Sequence, residues 1–190
     1  MATSAFDLAA LTVSNPVTSA KGAKTAAVSY KGKPIVWQPE AQTVVSEPTA
    51  FQNDDAVRVN LVMRTSSHTA EVLSSLDTHL IEFCTEHSAR LFGKTLSRDE
   101  VALRYSPCLK QSAKGGYDPT FKTKIVLSGR GKLRCWDSER TPCEFPESWV
   151  GCTVQPHITF RCLWIMPKEF GCLFDCSDAL IDETGPECPF

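Results

Sequence analysis

No stretch of this chain approaches the roughly 18 consecutive apolar residues of a membrane-crossing helix, which excludes a helical membrane protein. There is no internal repeat and no sustained heptad or Gly-x-x period, so coiled coil and collagen are excluded as well. The opening MATSAFDLAALTVSNPVTSAKGAK has no basic n-region ahead of a long hydrophobic h-region. It is Ala/Ser/Thr-rich and nearly free of acids, and residues 1–27 are expected to form a flexible lead-in, with an organelle-transit segment as the weaker alternative. Nine cysteines, an odd number without a secretory signal, predict free thiols in a reducing intracellular compartment: nucleus, cytoplasm or viral factory.

Catalytic signatures are missing too. HExxH, GxSxG and GxGxxG do not occur. Ser128-Gly129-Arg130-Gly131-Lys132 has neither the upstream glycine of a phosphate loop nor a hydroxyl residue after the lysine, since Leu133 follows. It reads as a glycine-relieved turn carrying cations outward. Six cysteines fall between Cys135 and Cys176 without one CxxC pair, the tight spacing on which structural zinc usually relies. Cys162 alternates with Phe160 and Trp164 as a core thiol does. His68, His79 and His87 on a helix and His157 in a strand read as surface or packing residues. The expectation is a non-enzymatic protein with no cofactor and no metal.

What is present is a hydrophobic fraction of 42%, enough to bury a real core, and an uneven charge. The net charge of −2 conceals 11 Lys and Arg against 4 Asp and Glu between Glu86 and Arg134, a local +7. Five acids and no base lie between Gly171 and Phe190. A basic middle with an acidic end points to a polyanionic partner.

From Val28 the chain becomes strand-like, with a turn at Gly32 and extended pieces broken by Pro34, Pro39 and Pro48. Ala56–Met63 alternates Val57, Val59, Leu61 and Met63 against Arg58, Asn60 and Val62, a strand with one face on a core. A helix over about 68–92 follows, N-capped by Ser66 or Ser67 and stopped by Gly93, with a Leu73/Leu76/Leu80 stripe to pack on the sheet. Ser97-Arg98-Asp99-Glu100 is a capping box that opens a short helix to about Arg104. Strands are predicted at Phe121–Leu127, Lys132–Trp136 and Thr153–Met166. Without βαβ alternation, an antiparallel barrel with an inserted helix fits best.

The basic middle interleaves cations with rings. Single-stranded nucleic acid needs charges that track its backbone and flat rings on which bases stack. Candidate groove cations are Arg104, Lys110, Lys114, Lys122, Lys124, Arg130, Lys132 and Arg134; Lys122 and Lys124 share a strand face opposite Thr123 and Ile125. Candidate stacking rings are Tyr105, Tyr117 and Trp136, whereas Phe92, Phe121 and Trp164 are assigned to the core. The end of the chain, from residue 175, reads as an acidic tail in which Asp182, Glu183, Glu187 and the terminal Phe190 imitate phosphates and a base. Such a tail is expected to touch partner proteins or to lie back over the groove.

Several segments in consistent order resemble the phage T7-type single-stranded DNA-binding proteins, in the form carried by large DNA viruses of algae and protists. They are Tyr30-Lys31-Gly32-Lys33-Pro34 with Val36 and Gln38; Leu91-Phe92-Gly93-Lys94-Thr95-Leu96-Ser97-Arg98; Tyr105-Ser106-Pro107; Lys114-Gly115-Gly116-Tyr117-Asp118-Pro119-Thr120-Phe121-Lys122; and Leu163-Trp164-Ile165 with Phe170-Gly171. The resemblance implies an OB-fold barrel over residues 28–174 that binds single-stranded DNA without strong sequence preference and serves replication, recombination and repair. It also implies an acidic tail over 175–190 that contacts a DNA polymerase or helicase, and it admits an exchanged-tail homodimer. RNA in place of DNA, a structural or protein-interaction barrel, and a zinc module built on the late cysteines are the alternatives.

Overall fold

The computed structural model describes residues 8–20, 22–50, 56–111 and 118–182. In chain order its strands are β1 (Leu11–Val13), β2 (Val17–Thr18), β3 (Lys24–Tyr30), β4 (Ile35–Trp37), β5 (Gln42–Val44), β6 (Arg58–Arg64), β7 (Tyr105–Ser106), β8 (Leu109–Lys110), β9 (Thr120–Val126), β10 (Arg134–Trp136), β11 (Pro142–Cys143), β12 (Thr153–Ile165) and β13 (Phe170–Asp182). The helices α1 (Ser67–Glu86), α2 (Ser88–Phe92) and α3 (Arg98–Arg104) all fall between β6 and β7. The chain is mainly β, as expected. It gathers into two compact units where one domain was expected: Met1–Ile35, Glu71–Cys108 and Phe160–Leu173 form a helical unit, and Val36–Ala70, Leu109–Thr159 and Phe174–Phe190 a barrel unit. The 13-residue strands β12 and β13 contribute residues to both.

In the barrel unit β6 and β9 form the longest ladder, antiparallel from Arg58↔Val126 to Arg64↔Thr120. β5 joins the other edge of β6, and Thr153 and Val154 of β12 join β5. β13 runs parallel to β9 at Asp175↔Lys124. A β12–β13 pairing then closes β12, β5, β6, β9 and β13 into a ring of five strands, an OB-like arrangement. The interior follows from alternation: Val59, Leu61 and Met63 of β6 and Phe121 and Ile125 of β9 are buried. Phe121 packs edge-on against Phe174 at 5.0 Å between ring centres. Val57, expected in the same row, is exposed because the ladder begins only at Arg58.

Thr123 takes an inward position between Phe121 and Ile125, and its hydroxyl is buried without a hydrogen-bond partner. At the start of α1, Ser66 caps the helix by accepting from the Thr69 N–H at 3.2 Å. The buried Gln42 side chain fixes that turn, accepting from the Ser66 N–H and donating to the Thr69 hydroxyl.

In the helical unit, β3 pairs with β1, β2 and the later part of β12. Leu73, Leu76 and Leu80 form the buried stripe of α1. The single helix expected over 68–92 is interrupted at His87: the buried Ser88 hydroxyl accepts the Leu96 N–H at 3.0 Å, and α2 turns to bury Ser88 and Leu91. Gly93 ends α2 in the left-handed region (φ 77°), where glycine carries no steric penalty. The Ser97/Glu100 capping box is present at α3.

Two boundaries differ from expectation. The lead-in drawn over 1–27 already contains strands: Leu11 and Val13 are buried as β1 pairs with Val28 and Tyr30, a three-residue alternation too brief to register as a period. At the other end, β13 continues to Asp182, past the expected domain end at 174. Its apolar row changes phase, Phe174 and Cys176 inward and then Ala179 and Ile181, so that the strand hides behind its acids.

Candidate nucleic-acid interface

The outward row of the β6–β9 ladder carries the first half of the candidate interface. Lys122 is exposed and Lys124 half-buried on the face opposite Phe121, Thr123 and Ile125, so the two lysines share a strand face as expected. Arg58 of β6 stands on the same side. Burial, then the positive charges of Arg58 and Lys122, hold the Lys124 ammonium below its ordinary pKa; Asp175 partly offsets them. Three cations brought together on adjacent strands repel one another, and an anion laid across them relieves that cost.

The second half is a cleft of about 540 Å³ lined by Gln38, Arg134, Trp136, Arg140, Gln155, His157, Asp178 and Leu180. β10 runs parallel to β13 with Arg134↔Asp178 and Trp136↔Leu180 in register, which sets the indole beside the guanidinium, 6.0 Å from ring centre to Cζ. Asp178 holds both: Arg134 lies with Nε 2.7 Å from Oδ1 and donates through Nη2 to Oδ2 at 2.8 Å, and Trp136 donates through Nε1 at 3.1 Å. Burial pushes the Asp178 carboxyl up, but the hydrogen bonds from Arg134, Ser177 and Trp136 outweigh it and hold the group below the usual carboxylate range. His157 Nδ1 meets the Ser177 hydroxyl at 3.3 Å across the β12–β13 pair. Trp136 is half-buried and so leaves part of its ring open to the cleft.

The remaining candidates divide. Arg130 is exposed in the turn before β10, where Gly129 (φ 74°) and Gly131 (φ 87°) take the left-handed conformation and the Lys132 N–H returns to the Gly129 carbonyl. The glycine-relieved turn is therefore as expected. Lys132 lies over the Phe145 ring, 4.5 Å from its centre, and near Glu144. Lys110 is exposed on β8, the short strand paired to Thr120. Lys114 and Tyr117 lie outside the described residues, as do Glu183, Glu187 and Phe190; Asp182 is the last residue of β13.

Two candidates do not belong to this face. Tyr105 is a core residue of the helical unit: it is 6% exposed, packs on Phe170 at 5.2 Å and donates its phenol hydrogen to Asp77 at 2.6 Å. The same carboxylate accepts the Cys108 N–H, so Asp77 ties down the turn after α3, and the Tyr105 ring has no free face for a base. The sequence offers Tyr105 as a stacking ring, but β7 pairs with β13 there and draws the ring inward. Arg104, at the end of α3, also sits in the helical unit, in a separate cleft. Phe121 is in the core as assigned, while Phe92 and Trp164 are half-buried.

Sequence reasoning missed the acids as partners. Asp175 pairs with Arg58 and Asp178 with Arg134, so two acids counted in a tail are fixed counter-ions within the sheet. The signal was present in the alternation of Phe174 and Cys176 with Asp175. Among the described residues no group of three or more His, Cys, Asp and Glu side chains is arranged to hold a metal ion. Cys162, expected in the core, is buried there, and Cys135 and Cys176 are buried as well.

No family model matches the chain, and no curated protein matches it. Among solved structures the chain is similar to the single-stranded DNA-binding protein from bacteriophage Enc34 in complex with ssDNA, at 13% identity and a TM-score of 0.51, over 92% of this chain and 97% of that one. A structure of the Enc34 protein described without DNA aligns at a TM-score of 0.49 with 13% identity, over 94% and 96% of the two chains. At this identity the likeness is one of fold: the chain has the mainly β, OB-like fold found in a phage single-stranded DNA-binding protein.

Proposed function

We propose that this protein binds single-stranded DNA along the outward face of its barrel unit, largely without regard to sequence. One observation carries the reading. Arg58, Lys122 and Lys124 form a cationic row, and the barrel unit also holds a cleft with the half-open ring of Trp136, so phosphates and a base each find a matching surface. The OB-like fold supports it, because that fold presents one curved face suited to oligonucleotides. In this reading the protein acts passively: it coats exposed strand, keeps it from re-annealing and shields it from nucleases during replication, recombination and repair.

The reading extends to membership of the T7-type family, to a reducing intracellular setting, and to contact with a replication protein such as a polymerase or helicase through residues 183–190. The test is fluorescence anisotropy of a labelled oligo-dT titrated over a salt series, with duplex DNA and oligo-rU as controls. Tight binding to the single strand, weaker binding to duplex, and a salt slope of about −0.7 per phosphate contact are expected. No binding to oligo-dT at low salt overturns the proposal. Preference for oligo-rU replaces DNA with RNA.

A further inference from the structure

The helical unit holds a second cationic cleft, of about 390 Å³. Lys24, Lys94 and Arg104 line it, with Phe92 and Met166 as its apolar surface. Each cation is placed by a defined local structure. Lys24 opens β3 and donates its Nζ hydrogen to the Leu91 carbonyl at 2.8 Å, in the last turn of α2. Gly93 ends α2 in the left-handed conformation, and Lys94 follows directly. Arg104 is the last residue of α3 and is half-buried. The Phe92 ring is held from behind by Phe170 at 4.9 Å between centres, and Met166 is 58% exposed.

The charge of this cleft is one-sided: among the described residues no carboxylate lines it and none of the three cations is in an ion pair. Glu100 is the acid that feels Lys94 and Arg104, but its carboxylate is engaged by the Ser97 N–H at 2.8 Å and the Ser97 hydroxyl at 3.0 Å in the capping box. Three cations around a half-open ring and an exposed thioether match a phosphate with a flat base attached: the guanidinium and ammonium groups take the anion, and the ring and sulfur take the base. The volume lies in the range of about 300–1,000 Å³ typical of small-ligand sites.

We infer that this cleft is a second nucleotide subsite for the single strand, with Lys94 and Arg104 as phosphate contacts and Phe92 and Met166 as the base platform. The inference rests on the proposed single-stranded DNA binding, and its test separates the two. Oligo-dT of about 30 nucleotides, longer than the ~4–16 nucleotides covered by one OB fold, is titrated over a salt series with four proteins. These are the wild type, Lys94→Gln/Arg104→Gln, the barrel-face variant Lys122→Gln, and Lys31→Gln/Lys33→Gln, which removes two exposed cations of the helical unit outside the cleft.

The cleft double variant is expected to lose about 1.4 from the salt slope and about 25-fold in affinity at 0.1 M salt, and Lys122→Gln to lose about 0.7 from the slope. The Lys31/Lys33 variant keeps the wild-type slope. If the cleft double variant melts early, Lys94→Gln alone, at an exposed lysine, carries the test with an expected slope loss of about 0.7. Wild-type slope and affinity in the cleft variants, with Lys122→Gln impaired, overturn the second subsite and leave the barrel-face reading standing. No binding by the wild type overturns both.

Discussion

On the proposed barrel-face interface Asp178 competes with phosphate for Arg134, and replacing it with Asn should strengthen binding. The carboxylate occupies the fork of Arg134 through an ion-pair contact of 2.7 Å to Nε and a hydrogen bond of 2.8 Å from Nη2. A phosphate needs that same fork. Asn keeps an oxygen for the Trp136 Nε1–H, so the indole stays in place, but it no longer holds the guanidinium by charge. The Arg134 side chain is 67% exposed, so solvent screens the ion pair and it adds little to folding, and the variant should melt near the wild type. Freeing one cation for one phosphate adds about 0.7 to the salt slope. At 0.1 M salt that corresponds to about 1 kcal/mol, or roughly fivefold tighter binding. The assay is oligo-dT anisotropy between about 50 and 200 mM salt, with Glu82→Gln on the exposed side of α1 as a control for net charge. An unchanged slope, or weaker binding by a well-folded Asp178→Asn protein, refutes the view that Asp178 is a built-in competitor on the interface.

Other outcomes follow from the same geometry. Trp136→Ala should weaken oligo-dT binding by about 1–3 kcal/mol while Trp136→Phe, which keeps a ring, loses less; equal losses in titrations of the two would remove stacking from the account. Thr123→Val removes a buried hydroxyl that has no partner and keeps the side-chain shape, so urea melts should show a gain of about 1 kcal/mol, and a loss would reveal an unrecognised partner. Burial pushes the thiols of Cys84 and Cys176 from 9.0 up to about 12. Between those values the unfolded chain has lost these protons and the native chain keeps them, so stability falls as pH rises, by about 1.4 kcal/mol per thiol per pH unit. Urea midpoints measured under reducing conditions should therefore hold up to pH 9 and decline above it, and a flat midpoint beyond pH 9 would contradict the burial of these thiols.

Much of this protein was written in local pattern. Alternation of polar and apolar residues placed β6 and β9, and with them the outward Lys122 and Lys124, because a strand's side chains point to opposite faces whatever its neighbours are. Capping chemistry placed α3 and the end of α2, since Ser97, Glu100 and Gly93 satisfy their own helix ends locally. Tertiary structure decided what local pattern could not. Tyr105 follows a surface helix and looks available, yet β7 pairs with β13 and Asp77 accepts its hydroxyl from 28 positions away. Asp175 and Asp178 look like the start of an acidic tail, yet a phase change in β13 turns them onto the barrel face against Arg58 and Arg134. Arg104 and Lys122 belong to one basic stretch of sequence and to two separate units of structure. The physical reason is the same in each case: helix caps and strand alternation are contacts between near neighbours, whereas burial of a ring, pairing of an ion and closure of a ring of strands depend on which distant segments meet.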